Sequence, residues 1–112
     1  MNKFKRVFAS NPNFRFGTNH LQELAEEIVY VCDSPIFDDM IDDPASRNKF
    51  EQCVTDKLWD FNPNTDVVAF YGDALIFAMI IWEIGEMKLD TDVSIARWSS
   101  KAEKYLVRKL EV

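Results

Sequence analysis

Apolar residues are most concentrated between residues 74 and 82, where nine consecutive positions are apolar. On a helix, this run places apolar side chains almost all the way round the axis, so the helix must be covered from several directions. Asp73 and Glu83 bracket the run, which is far shorter than the roughly 20 apolar residues of a membrane span. The pattern predicts a buried central helix within residues 66–87. It starts either at Asp66 or, because Val67 and Val68 are β-branched, near Asp73.

Four other segments place apolar residues at helical spacing after a capping residue. A first helix is predicted over residues 18–34, and it ends where Ser34 precedes a proline. A short second helix is predicted over residues 35–43, and a third over residues 44–60, where an aspartate and a proline form the start signal. The last helix is predicted from Asp92 onward.

Residues 1–17 differ from the rest, because aromatic and basic residues surround a turn-forming cluster at residues 10–13. This segment is predicted to be either a short β-hairpin or an extended arm. The predicted fold class is therefore mainly α: a compact four- to five-helix domain around a buried central helix. Residues 1–112 form a single domain, in which residues 18–112 are the helical core.

The composition excludes disorder, since 47% of the 112 residues are hydrophobic and 15 are aromatic. The net charge of −6 is distributed unevenly. Residues 20–95 contain 17 acids and 4 bases, whereas both ends are basic. An acidic middle repels nucleic acid and anionic lipid and attracts basic surfaces, so neither nucleic acid nor a membrane is an expected partner. A purely solubilising surface is the open alternative.

The N-terminus lacks the apolar segment of a secretory signal, and a cytoplasmic location is predicted. Cys32 and Cys53 fall on the predicted inward faces of two helices, where a free thiol packs like a small apolar side chain. His20, the one histidine, is about three helical turns from Cys32 in the first predicted helix. This geometry is poor for a catalytic dyad. No catalytic residue is predicted, and an enzyme is the least favoured class.

One segment has the spacing of calcium ligands, with oxygen-bearing side chains at Asp60, Asn62, Asn64 and Asp66. The match fails at the sixth position, where glycine is needed, and at the twelfth, where Tyr71 replaces glutamate. A turn with a helix cap is therefore favoured. The three glycines are too scattered for a phosphate-binding loop, and neither a metal nor a cofactor is predicted.

Four cations recur at helical spacing in the last predicted helix: Arg97, Lys101, Lys104 and Arg108. Such a stripe could follow the phosphates of a nucleic acid. The favoured interpretation is that it complements the helix dipole and the acidic helices beside it.

Residues 66–79 resemble a segment of small phage antirestriction proteins of the overcome-classical-restriction type. In that segment, a short valine-containing stretch is followed by tyrosine, a small residue and aspartate, and then by an apolar helix. The matching residues here are Val68, Tyr71, Gly72, Asp73, Phe77 and Met79. The resemblance implies an acidic, helical inhibitor that imitates duplex DNA in shape and charge. The basic ends of this chain depart from that family's pattern.

The leading functional prediction is a non-enzymatic inhibitor or modulator, encoded by a phage or mobile element and acting in the host cytoplasm. It would bind a basic, nucleic-acid-binding surface of a host protein. The predicted partner-binding residues are eight carboxylates within 21 positions: Glu23, Glu26, Glu27, Asp33, Asp38, Asp39, Asp42 and Asp43. The alternative is a structural or assembly adaptor, as a monomer or a homodimer, with an aromatic interface in which Trp59 or Phe16 stays exposed until a partner binds.

Overall fold

The computed structural model describes residues 3–12 and 19–112. This part of the chain contains five strands and three α-helices, which alternate as far as β4. In chain order they are β1 (Phe4–Ala9), α1 (Asn19–Leu24), β2 (Ala25–Tyr30), α2 (Pro44–Leu58), β3 (Asp66–Phe70), α3 (Ala74–Glu86), β4 (Val93–Ser99) and β5 (Lys104–Leu110), with a single 3₁₀ turn at Asp38–Met40. No helix in these ranges has the length and apolar character needed to cross a membrane.

The strands form one sheet in the order β2-β1-β3-β4-β5. The first four are parallel, and β5 pairs antiparallel with β4. The fold is therefore a mixed α/β domain, and the prediction of a mainly α bundle of four or five helices is wrong. The order 2-1-3-4-5 is that of a doubly wound sheet, whose strand order reverses between β1 and β3.

The two faces of the sheet are covered unequally. One face carries larger side chains, including Phe8 and Val68, and packs against buried residues of both α2 and α3. The other face is flatter, because Ala9, Ala69 and Ala96 lie on it, and α1 packs there through Leu21. The two longer helices thus lie side by side on one face.

The first predicted helix ends early, at Leu24, where the chain passes directly into β2. The sequence from Ile28 to Val31 is branched or aromatic at every position, and such residues favour strands. Pairing with β1, from Phe4 opposite Ala25 to Ala9 opposite Tyr30, satisfies the backbone there. β1 lies between β2 and β3, so residues 4–9 form an inner strand of the sheet. The proposed second half of the predicted hairpin falls within residues 13–18, outside the described ranges.

The last predicted helix is instead a hairpin of β4 and β5. The four cations read as one helical stripe are divided between β4, the connecting turn and β5. Arg97 lies opposite Leu106, and Ile95 lies opposite Arg108. The period-two pattern in which the polar Ser94 separates Val93 from Ile95 was the missed signal.

The predicted central helix is two elements, since β3 precedes a turn and α3 begins after Asp73. The later of the two predicted starting points is thus confirmed. Ile80 is fully buried, as the prediction of a buried helix requires, but Leu75 and Trp82 are 51% and 71% exposed. The helix is covered on one side only. The predicted third helix is confirmed as α2, which starts at Pro44, whereas the second shrinks to the 3₁₀ turn.

Candidate partner-binding groove

A groove of about 600 Å³ lies between α2, α3 and the segment 36–41. Most of its lining is apolar: Ile36, Met40, Ile41, Phe50, Val54, Leu75, Ala78, Met79 and Trp82, with Arg47, Glu51, Thr55 and Glu83. Methionines suit a surface that adapts to its partner, because they are unbranched and polarisable. We call this feature the α2–α3 groove.

The groove follows from how α3 divides its apolar residues. Ile76, Ile80 and Ile84 form one stripe and are buried against the sheet. Leu75 and Trp82 lie on another side of the helix, where they line the groove and remain exposed. An exposed apolar concavity of this kind commonly marks a binding surface.

Four of the eight predicted partner-binding carboxylates lie in the segment 36–41, which forms one wall of the groove, or directly after it. Asp38 and Asp39 begin the 3₁₀ turn, and Asp42 and Asp43 lie between this turn and α2. All four are exposed, and in sequence they flank the lining residues Met40 and Ile41, two on each side. Residues 33–43 contain five aspartates and no basic residue, so this wall is strongly acidic.

The other four predicted carboxylates are also exposed but lie elsewhere. Glu23 is on α1, Glu26 and Glu27 are on β2, and Asp33 follows β2. The prediction that the glutamates project together from one helix is wrong. Side chains alternate along a strand, so Glu26 and Glu27 point to opposite faces of the sheet. The structure therefore separates a groove-side group of aspartates from a group near the β2 edge.

Asp73 holds the groove wall in place. Its carboxylate accepts hydrogen bonds from the backbone N–H groups of Leu75 and Ile76, which caps α3, and from that of Ile36 on the opposite wall. One carboxylate thus connects two elements that line the groove. It also occupies the N-terminal amides of α3, where a doubly wound fold would otherwise offer a site for a ligand phosphate.

The point at which the strand order reverses is closed by Asn11. Its side-chain Oδ1 accepts a hydrogen bond of 2.7 Å from the backbone N–H of Asp73. Gly72 has φ of +82°, and a Cβ there would lie 2.6 Å from Asn11 Oδ1, so both conformation and space require glycine. The Tyr71–Asp73 step of the family resemblance serves here as a turn between β3 and α3.

The calcium-like segment is organised by an arginine. Asp66 is fully buried, and its carboxylate accepts hydrogen bonds from Arg6 Nε and Nη2 and from the backbone N–H of Asn62. The same guanidinium binds Asp60, at 3.1 Å. Hydrogen bonding to Asp66 is the main reason that the pKa of Arg6 is raised. The guanidinium supplies the positive charge that a cation would bring. The turn is confirmed, whereas the helix cap is wrong, because the strand β3 follows the turn.

The cysteines and the histidine lie on opposite faces of the sheet. Cys32 is buried on the α2/α3 face and Cys53, from α2, packs beside it. Burial, followed by the neighbouring Cys53, raises the pKa of the Cys32 thiol to about 12. His20 stacks on Trp98 at 3.9 Å, beside the face that α1 covers. The structure does not bring His20 to either thiol.

Sequence reasoning missed the α2–α3 groove, because the apolar run was interpreted as covered on all sides. The signal was present: Leu75, Ala78, Met79 and Trp82 recur at helical spacing on a different side from the three buried isoleucines. What the sequence could not show was that α2 and the segment 36–41 would leave this second stripe open.

Comparison with protein-family models gave no match, and neither curated proteins nor solved structures matched significantly. Within the described ranges, no three His, Cys, Asp or Glu side chains are grouped to hold a metal ion. The α2–α3 groove and its acidic wall are therefore the features on which a functional proposal rests.

Proposed function

We propose that this chain is a non-enzymatic inhibitor or modulator that binds a basic, nucleic-acid-binding surface of a host protein. The α2–α3 groove receives apolar side chains of the partner, and the aspartates of its wall face the partner's cations. No catalytic residue and no cofactor has a part in this function. Proteins of this kind are encoded by phages and mobile elements, in keeping with the antirestriction resemblance of residues 66–79.

The observation that carries the proposal is the adjacency of the acidic segment and the groove. Acidic surface alone is typical of a soluble protein, and an apolar groove alone accepts many partners. Asp38, Asp39 and Asp42 flank the groove-lining residues Met40 and Ile41 in sequence, so a partner seated in the groove must come close to these carboxylates. Buried apolar contacts supply affinity, whereas charges at the rim supply encounter rate and selectivity.

A basic amphipathic helix is the simplest element that fits both features. Its apolar side would lie in the groove, in the manner of helix-in-groove recognition, and its cations would meet the acidic wall. DNA-binding surfaces are rich in lysine and arginine, because these cations neutralise the phosphates of DNA. Occupying such a surface would compete with nucleic acid directly, and the attraction would weaken as salt is added.

The test uses proteins from a native-host extract that are first selected on DNA-cellulose and then passed over the immobilised chain. We expect a protein to be retained and to be displaced by duplex DNA. The comparison is a folded variant in which six carboxylates are neutralised: Glu23→Gln, Glu26→Gln, Asp38→Asn, Asp39→Asn, Asp42→Asn and Asp43→Asn. This variant should retain nothing. Equal retention with the same salt dependence would refute the acidic mechanism, and no retention by the unmodified chain would refute the inhibitor proposal.

A second candidate function is a structural or assembly adaptor with an aromatic interface. The observation that favours it is Trp59, which follows α2 and is 78% exposed. Tryptophan is enriched among interface residues that dominate binding energy. If this candidate is right, Trp59→Ala will abolish assembly with the partner. The variant with six neutralised carboxylates will assemble as well as the unmodified chain. The opposite pattern would remove this candidate.

A further inference from the structure

The outer edge of β5 is exposed, because no described strand pairs with it. Three of its apolar side chains, Leu106, Val107 and Leu110, are each at least 40% exposed. They lie on both faces of the sheet, since residues 106 and 107 alternate. An exposed apolar edge strand is a ready template for pairing with another strand.

We propose that β5 pairs antiparallel with β5 of a second copy, so that two sheets join into one around a two-fold axis at Val107. Two-fold homodimers are the commonest closed assemblies of soluble proteins, and each presents the same surface twice. A two-fold dimer of this kind therefore requires that β5 be complementary to a second β5.

The cations of β5 select one register of this pairing. With Val107 opposite Val107, Lys104 lies opposite Leu110, Tyr105 opposite Lys109, and Leu106 opposite Arg108. All seven strand residues are paired, and no cation faces another directly. Moving the axis by one residue sets Lys104 against Arg108, or Arg108 against itself. Like charges directly opposite are destabilising, so the Val107 register is favoured over both neighbours.

The opposite edge of the sheet offers the competing contact. β2 is the other edge strand and carries Glu26 and Glu27, whose charge is opposite to that of β5. Pairing of β2 with β5 of another copy is head to tail, and such contacts give either a ring of several copies or an open polymer. The self-paired β5 closes after two copies. The size of the assembly therefore distinguishes the two arrangements, and it does so independently of the α2–α3 groove.

The disrupting variant is Val107→Lys, which sets two lysines against each other at the two-fold axis. Its matched control is Val112→Lys, which makes the same charge change at a similarly exposed valine beyond the strand. By sedimentation velocity from low micromolar to millimolar concentration, we expect the unmodified chain and the control to dimerise. The dissociation constant of Val107→Lys should rise by about tenfold or more.

A second pair of variants keeps the proposal testable if Val107→Lys folds poorly. Leu106→Glu should tighten the dimer, because the new carboxylate faces Arg108 of the second copy and Arg97 within its own hairpin. Leu106→Glu combined with Arg108→Glu sets carboxylates against each other across the axis and should weaken it. Amide hydrogen exchange over residues 104–110 should slow as the dimer forms. A monomer up to millimolar concentration, growth beyond a dimer, or no tightening by Leu106→Glu would each overturn the proposal.

Discussion

Two groups of carboxylates in this protein differ in whether they are paired with a basic side chain. Asp60 and Asp66 bind the guanidinium of Arg6, and Asp66 is fully buried. Asp38, Asp39 and Asp42 are exposed beside the α2–α3 groove, and no basic side chain of the described ranges lies within ion-pair distance of them. Both groups lie in or next to a connection between a strand and a helix.

The difference separates carboxylates that stabilise the fold from those that are available to a partner. A buried carboxylate persists only when it is paired and hydrogen-bonded, so removing its partner is costly. An exposed carboxylate contributes little to stability and remains free to meet an external cation. We therefore expect substitutions in the two groups to affect different measurements.

The largest expected effect is on the internal pair. Asp66→Asn leaves Arg6 half-paired and weakens the turn that precedes β3, so it should lower the free energy of unfolding by about 3–5 kcal/mol. Asp60→Asn is the matched control at the more exposed end of the same guanidinium, and it should cost at most about 1 kcal/mol. Urea unfolding measures both. Equal losses would show that Asp66 is no more structural than an exposed carboxylate.

Alkaline pH extends the comparison to other ionisable groups of the fold, because it places charge on the buried Cys32 and the partly buried Tyr105. Burial raises the pKa of Cys32 and of Tyr105, each to about 12. The neutral forms stabilise the fold fully below the unfolded-state values of 9.0 and 10.0, and this stability is lost as the pH rises toward 12. For Cys32 the expected loss is about 1.4 kcal/mol per pH unit above 9.

The measurement is the free energy of unfolding of the unmodified chain and of Cys32→Ala at several pH values. Cys32→Ala should be less stable at pH 7 but should show a flatter decline between pH 9 and 10. Parallel curves would mean that Cys32 is not a buried thiol in solution.

A smaller loss of stability is expected for Asp43, which combines the features of both groups. Asp43 is exposed at the groove wall, yet its carboxylate accepts hydrogen bonds from Ala45 N and Ser46 Oγ at the start of α2. Asp43→Ala should therefore cost about 1 kcal/mol of stability, as loss of a helix cap does. Asp42→Ala should change stability by less than about 0.5 kcal/mol. Thermal unfolding of the two variants, side by side, would contradict this division if their midpoints were the same.

Local signals predicted some elements well. Asp43 with Pro44 started α2, and Asp73 started α3, because a cap acts on amides only a few residues away. The burial of Ile80 was also predictable from the apolar run. Position-specific chemistry within one turn of a helix is therefore readable from sequence.

The sheet was not predicted, because its pairing is long-range. β1 pairs with β3 across about 60 residues, from Arg6 opposite Asp66 to Phe8 opposite Val68. The two strands place Arg6 and Asp66 side by side, a pairing that no local pattern contains. The aspartates beside the groove were named from the sequence as partner-binding residues, and that role stays a prediction. The groove itself was not predicted, because the open side of α3 depends on how α2 packs.

The most direct test of the central claim is titration with a basic amphipathic peptide, built from leucine at helical spacing and lysine elsewhere. Nuclear magnetic resonance reports on Leu75, Met79 and the Trp82 indole, which line the groove. We predict that the peptide changes the chemical shifts of groove residues only. These changes should be smaller at high salt and in the combined variant Asp38→Asn, Asp39→Asn and Asp42→Asn. A peptide with glutamate in place of lysine should cause none. Shifts elsewhere, or equal binding by the neutralised variant and the unmodified chain, would contradict the account.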